Sequence, residues 1–382
     1  MTHRMRTLLL AGSLLAISGR PALAQRVNRA DAVRRLLLAE MKARQIPGLQ
    51  VAVVKGGRVV MHGEYGFANL QDSVPVSRRT LFTINSMTKA FTGVAIVQLV
   101  EAGKVDLDRG IGRYVADLPD AWRAVTVRQL LTHTSGLPDI TDENAKMLSE
   151  AGDDSSWAMV RRLPVTAAPG ERFSYNQNNY LLLGKLIDTV TGQPFTQVIA
   201  DRQFRVAGMT RTAAAGFGDS YDVVPHAARG YTFRQVIGGQ TYLRRKIRNQ
   251  SETYSPFLLT AAGIRSTAEE IARWSIAVQR GAIFSKPGSL TTLWTPARLT
   301  NGALGGFGEF LNEWALGWPV ASRPLHPAIV AIGGGRSGLF VYPEDDVAVV
   351  VLTNLQGAEP EAFIDKVAAL YFDARPRPKG KP

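Results

Sequence analysis

Apolar positions along the chain change period four times, and each stretch predicts its elements. Between Arg29 and Arg44 they recur at helical spacing and stop at Pro47-Gly48, which predicts an amphipathic helix. Leu49–Lys55 and Arg58–Phe67 are rich in β-formers and separated by Gly56-Gly57, the signature of a hairpin. The run from Ser86 to Val100, SMTKAFTGVAIVQLV, is apolar on nearly every face, with Gly103 placed to end it. A helix apolar all round is a buried one. Helical patterns return at Val125–Leu131, at Tyr180–Thr191 before Gly192 and Pro194, and at Thr267–Arg280. Trp314–Ala321, Ala328–Ile332, Leu339–Tyr342 and Val347–Asn354 then read as four strands, the last two joined by a turn at Glu344-Asp345-Asp346. A closing amphipathic helix is expected over Glu359–Phe372.

Strands confined to the two ends predict an α+β fold, with one antiparallel sheet made by bringing the termini together and helices flanking it. On this reading residues 25–104 and 281–373 build the sheet domain, and 105–280 form a mostly helical insertion. Residues 374–382, RPRPKGKP with the preceding Ala, are basic and Pro-rich and are expected to be disordered.

Composition narrows the chemistry. Arg4 and Arg6 precede an apolar run from Leu8 to Ile17 and an Ala22-Leu23-Ala24 cleavage pattern, so residues 1–24 are expected to be an export leader cut between Ala24 and Gln25, giving a periplasmic or secreted protein. There is no cysteine, which excludes disulfides and thiolate chemistry. Five scattered histidines lack metal-ligand spacing, so neither metal nor cofactor is expected. The formal charge of +13 favours weak attraction to acidic envelope surfaces. Its densest run, Tyr242-Leu243-Arg244-Arg245-Lys246-Ile247-Arg248, reads as a solvated face, and no motif for nucleic-acid recognition accompanies it.

Ser86 and Lys89 stand one helical turn apart at the start of the buried helix, and Lys89 is the only charge in that run. Burial disfavours an ammonium, so a partly neutral Lys89 can take the Ser86 proton. The alternative is a Ser86 cap with a snorkelling Lys89. Phe173–Tyr180, FSYNQNNY, is a polar loop before a helix, in which Asn178 or Asn179 would serve as N-cap; Tyr175 could relay a proton or share the base role. His133 is expected to bond loop backbone, and His326 is a second histidine of interest. Gly333, Gly335 and Gly338 match G-x-G-x-x-G, but a strand follows them, so a tight turn is the better reading. No G-x-S-x-G elbow is present.

Five blocks in order, TLFTINSMTKAFTGVAIVQLVEAGKVDLD, RQLLTHTSGLPD, PGERFSYNQNNYLLLGKLIDTVTG, LLTAAGIRSTAEEIARW and YPEDDVAVVVLTN, resemble the serine β-lactamase and penicillin-binding-protein superfamily. The similarity is to its class C branch, with D,D-peptidases and family VIII esterases. It implies Ser86 as acylated nucleophile, Lys89 as base and Tyr175 as the tyrosine of Tyr-x-Asn, with Gln177 in place of the Asn. The third motif departs. The family's Lys-Thr-Gly or His-x-Gly falls on either Ala328-Ile329-Val330 or Ile332-Gly333-Gly334, and neither offers a cation or imidazole. Gly334, Gly335 and Arg336 are the expected substrate contacts there, together with Gln177. The resemblance thus implies a serine hydrolase acting on a small ester or peptide, with a carboxylesterase favoured. The other readings are a D,D-peptidase or β-lactamase, and a relative that binds envelope ligands without turnover.

Overall fold

The computed structural model describes residues 20–142, 146–237 and 240–373. The basic tail at 374–382 and most of the expected leader lie outside the described residues. Twelve strands are present among them: β1 Gly48–Lys55, β2 Arg58–Asn69, β3 Val74–Pro75, β4 Phe82–Thr83, β5 Gly230–Ile237, β6 Gln240–Gln250, β7 Arg265–Ser266, β8 Glu313–Trp314, β9 Pro319–Ala321, β10 Ala328–Gly333, β11 Ser337–Tyr342 and β12 Val347–Thr353.

Eight of them form one antiparallel sheet in the order β3-β2-β1-β12-β11-β10-β9-β8. The two ends of the chain meet where β1 pairs with β12, with Val51 opposite Val351 and Val53 opposite Val349. Period-two alternation sends these strands into two cores. Ala52, Val54, Ala348, Val350 and Leu352 face the helical side with Phe91, Val94 and Trp274. Val51, Val53, Val347, Val349 and Val351 face the other side, under Val33, Leu37 and Met41 of the helix Arg20–Arg44. Burial on both faces is why Val347–Thr353 is an unbroken apolar run. The helix Thr88–Glu101 is buried along nearly its whole length in the first core, as its composition requires.

Three expectations are corrected. The segment 105–280, expected to be mostly helical, also holds an unexpected two-stranded ribbon, β5 and β6, whose second strand is exposed on both faces and so shows no alternation. The helix Ala268–Gln279 packs on β1 and β12, so it belongs with the sheet and not with the insertion. The closing helix is reduced to a turn at Pro360–Ala362 and a short helix at Ile364–Ala368. Glu359, at φ +51°, and Phe363, at φ −133° and ψ −5°, interrupt the helical path on either side of the turn.

Candidate active site

Ser86 lies in a 3₁₀ turn, Asn85–Met87, that runs directly into the helix Thr88–Glu101. The serine is half-buried and opens onto a cavity of about 260 Å³, whereas Lys89 is only 1% exposed. The amine of Lys89 reaches three oxygens: Ser86 Oγ at 3.5 Å, Gln177 Oε1 at 2.9 Å and the Ala261 carbonyl at 3.3 Å. A neutral amine has two N–H donors and one lone pair. Gln177 and Ala261 can take the two donors, which leaves the lone pair for the Ser86 hydroxyl. Burial pulls Lys89 down to about 7, while the Asp139 carboxylate acts in the opposite direction. The Tyr175 and Tyr180 rings flank the amine, with centroids 4.7 and 5.1 Å away.

The helix Gln177–Thr191 delivers Gln177. Its N-cap is Asn176, which accepts from Asn179 N–H at 3.2 Å, and not Asn178 or Asn179 as the sequence suggested. That earlier start puts Gln177 on the first turn, facing Lys89. Asp139 accepts from the freed N–H groups of Gln177 at 3.0 Å and Asn178 at 3.3 Å. Asp139 was missed at the sequence level, although its place in the THTSGLPD turn was a signal.

Tyr175 hydrogen-bonds to Ser86 and Gln177, and burial holds its phenol above the ordinary range. It therefore stays protonated at neutral pH, a state in which a phenol can donate or relay a proton, whereas the buried amine of Lys89 is the group able to accept one. His133 lies behind it, with ring centroids 4.5 Å apart. Its Nδ1 accepts from the Asn176 backbone N–H at 3.1 Å, and burial together with the Lys89 charge keeps the imidazole neutral. His133 is thus a packed strut, bonded to loop backbone. His326 stands at the far end of β10, bonded to Asp345 at 2.8 Å and stacked on Phe372, and takes no part in the site.

The third motif is settled by contact. Ile332, Gly333, Gly334 and Gly335 line the Ser86 cavity, so Ile332-Gly333-Gly334 is the register that faces the nucleophile. A Cβ on Gly333 would lie 2.0 Å from the Ile84 carbonyl and 2.8 Å from Ser86 N, so only glycine permits this approach. The other walls are Tyr175, Phe307, Trp314, Gly317, Pro319 and Ala331. Among the described residues, none of those lining the cavity carries a charge, and the Lys89 amine lies behind Ser86.

Arg336 does not line this cavity. It is buried and bound to Glu252 at 3.0 and 3.2 Å and to Gln250 at 2.6 Å, and it borders a second cleft of about 330 Å³. Asn85, beside Ser86 and packed against Gly334, is in the left-handed conformation at φ +50°, with its amide on Glu252 and Tyr254. The Glu252 carboxylate occupies the Arg336 guanidinium, so the expected role of Arg336 on a substrate carboxylate is withdrawn.

Comparison with known proteins agrees with this arrangement. The model of the family described as Beta-lactamase matches residues 33–373. The chain belongs to the β-lactamase family. Protein flp of Staphylococcus aureus (strain N315) is 28% identical over 247 residues, covering 63% of this chain and 47% of that protein, so the chain spans about half the length of that relative. Penicillin-binding protein 4* of Bacillus subtilis (strain 168) is 26% identical over 339 residues, covering 85% of this chain and 72% of that protein. The crystal structure of a penicillin binding protein from Bacillus halodurans superposes with a TM-score of 0.69 at 26% identity, covering 87% of this chain and 98% of that one. The chain accordingly has the α+β fold of the β-lactamase and penicillin-binding-protein family.

Proposed function

We propose that this family member is an exported carboxylesterase for uncharged, largely apolar esters. One observation carries the reading: the β10 stretch beside Ser86, Ala331 to Gly335, brings neither a cation nor an imidazole into a cavity otherwise walled by Tyr175, Phe307, Trp314, Gly317 and Pro319. A β-lactam or a D-Ala-D-Ala peptide brings a carboxylate that needs a cation here, and an aliphatic side chain cannot supply one. In the reaction Lys89 takes the Ser86 proton, and Oγ attacks the ester carbonyl to form a tetrahedral oxyanion. Ser86 N–H, at the start of its turn, and a backbone N–H of Gly334 or Gly335 are the donors for that charge. Collapse expels the alcohol with a proton passed through Tyr175, and water then releases the acid. No cofactor is required by these steps. Export is supported by the basic–apolar–AxA pattern of residues 4–24.

The test is a panel of p-nitrophenyl acetate, butyrate and octanoate beside nitrocefin and a D-Ala-D-Ala peptide, run on the wild type, Ser86→Ala and Ile332→Lys. We expect ester turnover that is lost in Ser86→Ala, little turnover of the two carboxylate substrates, and a shift of selectivity toward them of at least tenfold in Ile332→Lys. Wild-type kcat/KM higher for nitrocefin or the peptide than for every ester would refute the esterase reading. Binding without turnover across the panel would favour a ligand-binding relative.

A further inference from the structure

The β5–β6 ribbon has no role in the site just described, and its residues are distributed unlike those of an ordinary solvated hairpin. Residues 230–250 contain no Asp or Glu. Five cations, Arg234, Arg244, Arg245, Lys246 and Arg248, are all exposed. Arg244 and Arg248 bond the neutral Gln235 at 2.7 and 2.8 Å, and none of the five has a carboxylate partner among the described residues. Charge of one sign is therefore concentrated here without internal compensation.

The ribbon is also segregated along its length. Its body end is fixed by Tyr231 N–H on the Asn354 carbonyl at 2.7 Å and by Gln250 on Arg336. Cross-strand pairs 234–243, 235–242, 236–241 and 237–240 form the far end, about 20 Å away at the rise of a β-strand. That end carries Val236, Ile237, Tyr242 and Leu243, exposed by 45, 49, 42 and 80%. Four exposed apolar side chains at one end of an unsupported ribbon are costly in water and need an apolar partner. Four of the cations, Arg244 to Arg248, follow on the body side of them. The outermost cross-strand pairs, Ile237–Gln240 and Val236–Thr241, carry one apolar side chain each, Tyr242 and Leu243 follow with Arg234 level with Leu243, and the other four cations come next toward the body. Apolar groups ahead of most of the cations is the order in which an interfacial element meets a bilayer, the former at the acyl boundary and the latter at the phosphates.

We propose that the β5–β6 ribbon is an arm that docks on anionic phospholipid bilayers, entering with Val236, Ile237, Tyr242 and Leu243 and holding lipid phosphates with its five cations. Charge complementarity selects this partner over a second copy of the chain, whose arm would bring five like charges against these. Gln250 at the body end and the following Glu252 bond Arg336, next to Gly335 of the Ser86 cavity, so the arm is rooted on the wall of the site. The proposal does not depend on which ester is cleaved.

The test is co-sedimentation of the full-length protein with vesicles of phosphatidylcholine alone and with 30% phosphatidylglycerol, at low and high salt. Binding is expected only to the phosphatidylglycerol vesicles and is expected to fall with salt. Each basic side chain near such a surface strengthens binding about fivefold, so R244Q/R245Q/K246Q should weaken it by about 100-fold. I237S/L243S should weaken it at both salt concentrations. Unchanged thermal unfolding of the variants, followed by circular dichroism, establishes that they are folded. No binding to either vesicle, equal binding to both, or full binding by folded R244Q/R245Q/K246Q would overturn the proposal. So would a wild-type dimer that these three substitutions convert to a monomer. A short DNA duplex held as tightly as the vesicles through the same cations would overturn it in favour of a general polyanion site.

Discussion

The clearest perturbation available is the proton on Lys89. Burial brings this amine from 10.5 to about 7, a displacement equivalent to about 5 kcal/mol against the ammonium. The consequence for catalysis is large, because only the neutral amine can accept the Ser86 proton. An ordinary lysine would present the free base in roughly one molecule in 2,500 at pH 7, whereas this one presents it in about half. The observable is the pH dependence of acylation, measured in single turnover with a p-nitrophenyl ester or a fluorophosphonate. The rate constant should rise about tenfold per pH unit below 7 and level off above 8, since Tyr175 stays protonated and does not titrate in this range. Lys89→Ala should lose at least 1,000-fold and lose the inflection with it. A rate still climbing tenfold per unit at pH 9 would show that Lys89 keeps an ordinary pKa. A flat profile from pH 5 to 9, or an inflection that survives in Lys89→Ala, would show that another group is the base.

Two further outcomes follow from the same geometry. Lys89 is charged in the unfolded chain up to about pH 10 but neutral in the folded protein above about 7, so the unfolded state binds more protons in that window and stability rises with pH across it. Lys89→Met removes the ammonium but leaves Gln177 Oε1 and the Ala261 carbonyl unpaired, at a cost of about 1–3 kcal/mol. The variant should therefore be more stable than wild type by about 2 kcal/mol at pH 6, with the advantage disappearing toward pH 10 in urea melts; a difference that does not change with pH contradicts the assigned displacement. Gly333→Ala puts a methyl against the Ile84 carbonyl and Ser86 N, so β10 must retreat from the nucleophile's turn. It should lower acylation more than 100-fold for about 1–3 kcal/mol of stability, and near-normal acylation would remove Gly333 from the oxyanion geometry.

The fold was legible wherever burial imposed a period. Val347–Thr353 is apolar at every position because it is covered on both faces, and the Ser86 helix because it is surrounded. The β5–β6 ribbon was illegible for the opposite reason: β6 is buried on neither face, so no period marked QTYLRRKIRNQ as a strand. In the site, Ser86 and Lys89 could be paired because one helical turn fixes their separation whatever the tertiary structure. Lys89 and Gln177 are 88 residues apart and meet only through packing.

The third motif shows where this kind of reading stops. Residues 326–338 offer two registers, and the apolar pattern cannot choose between them, since Ala328, Val330 and Ala331 are all buried. The choice is made by a backbone contact, Gly333 against Ile84 and Ser86, that leaves its trace only as a missing side chain. The glycine cluster was visible from the start, but a tight turn explains Gly334 and Gly335, at φ +58° and +59°, equally well. Only the approach of β10 to the nucleophile separates the two reasons. Gly333 is there for space and its neighbours for backbone conformation, and it is the first reason that brings the β10 backbone up against the turn of Ser86.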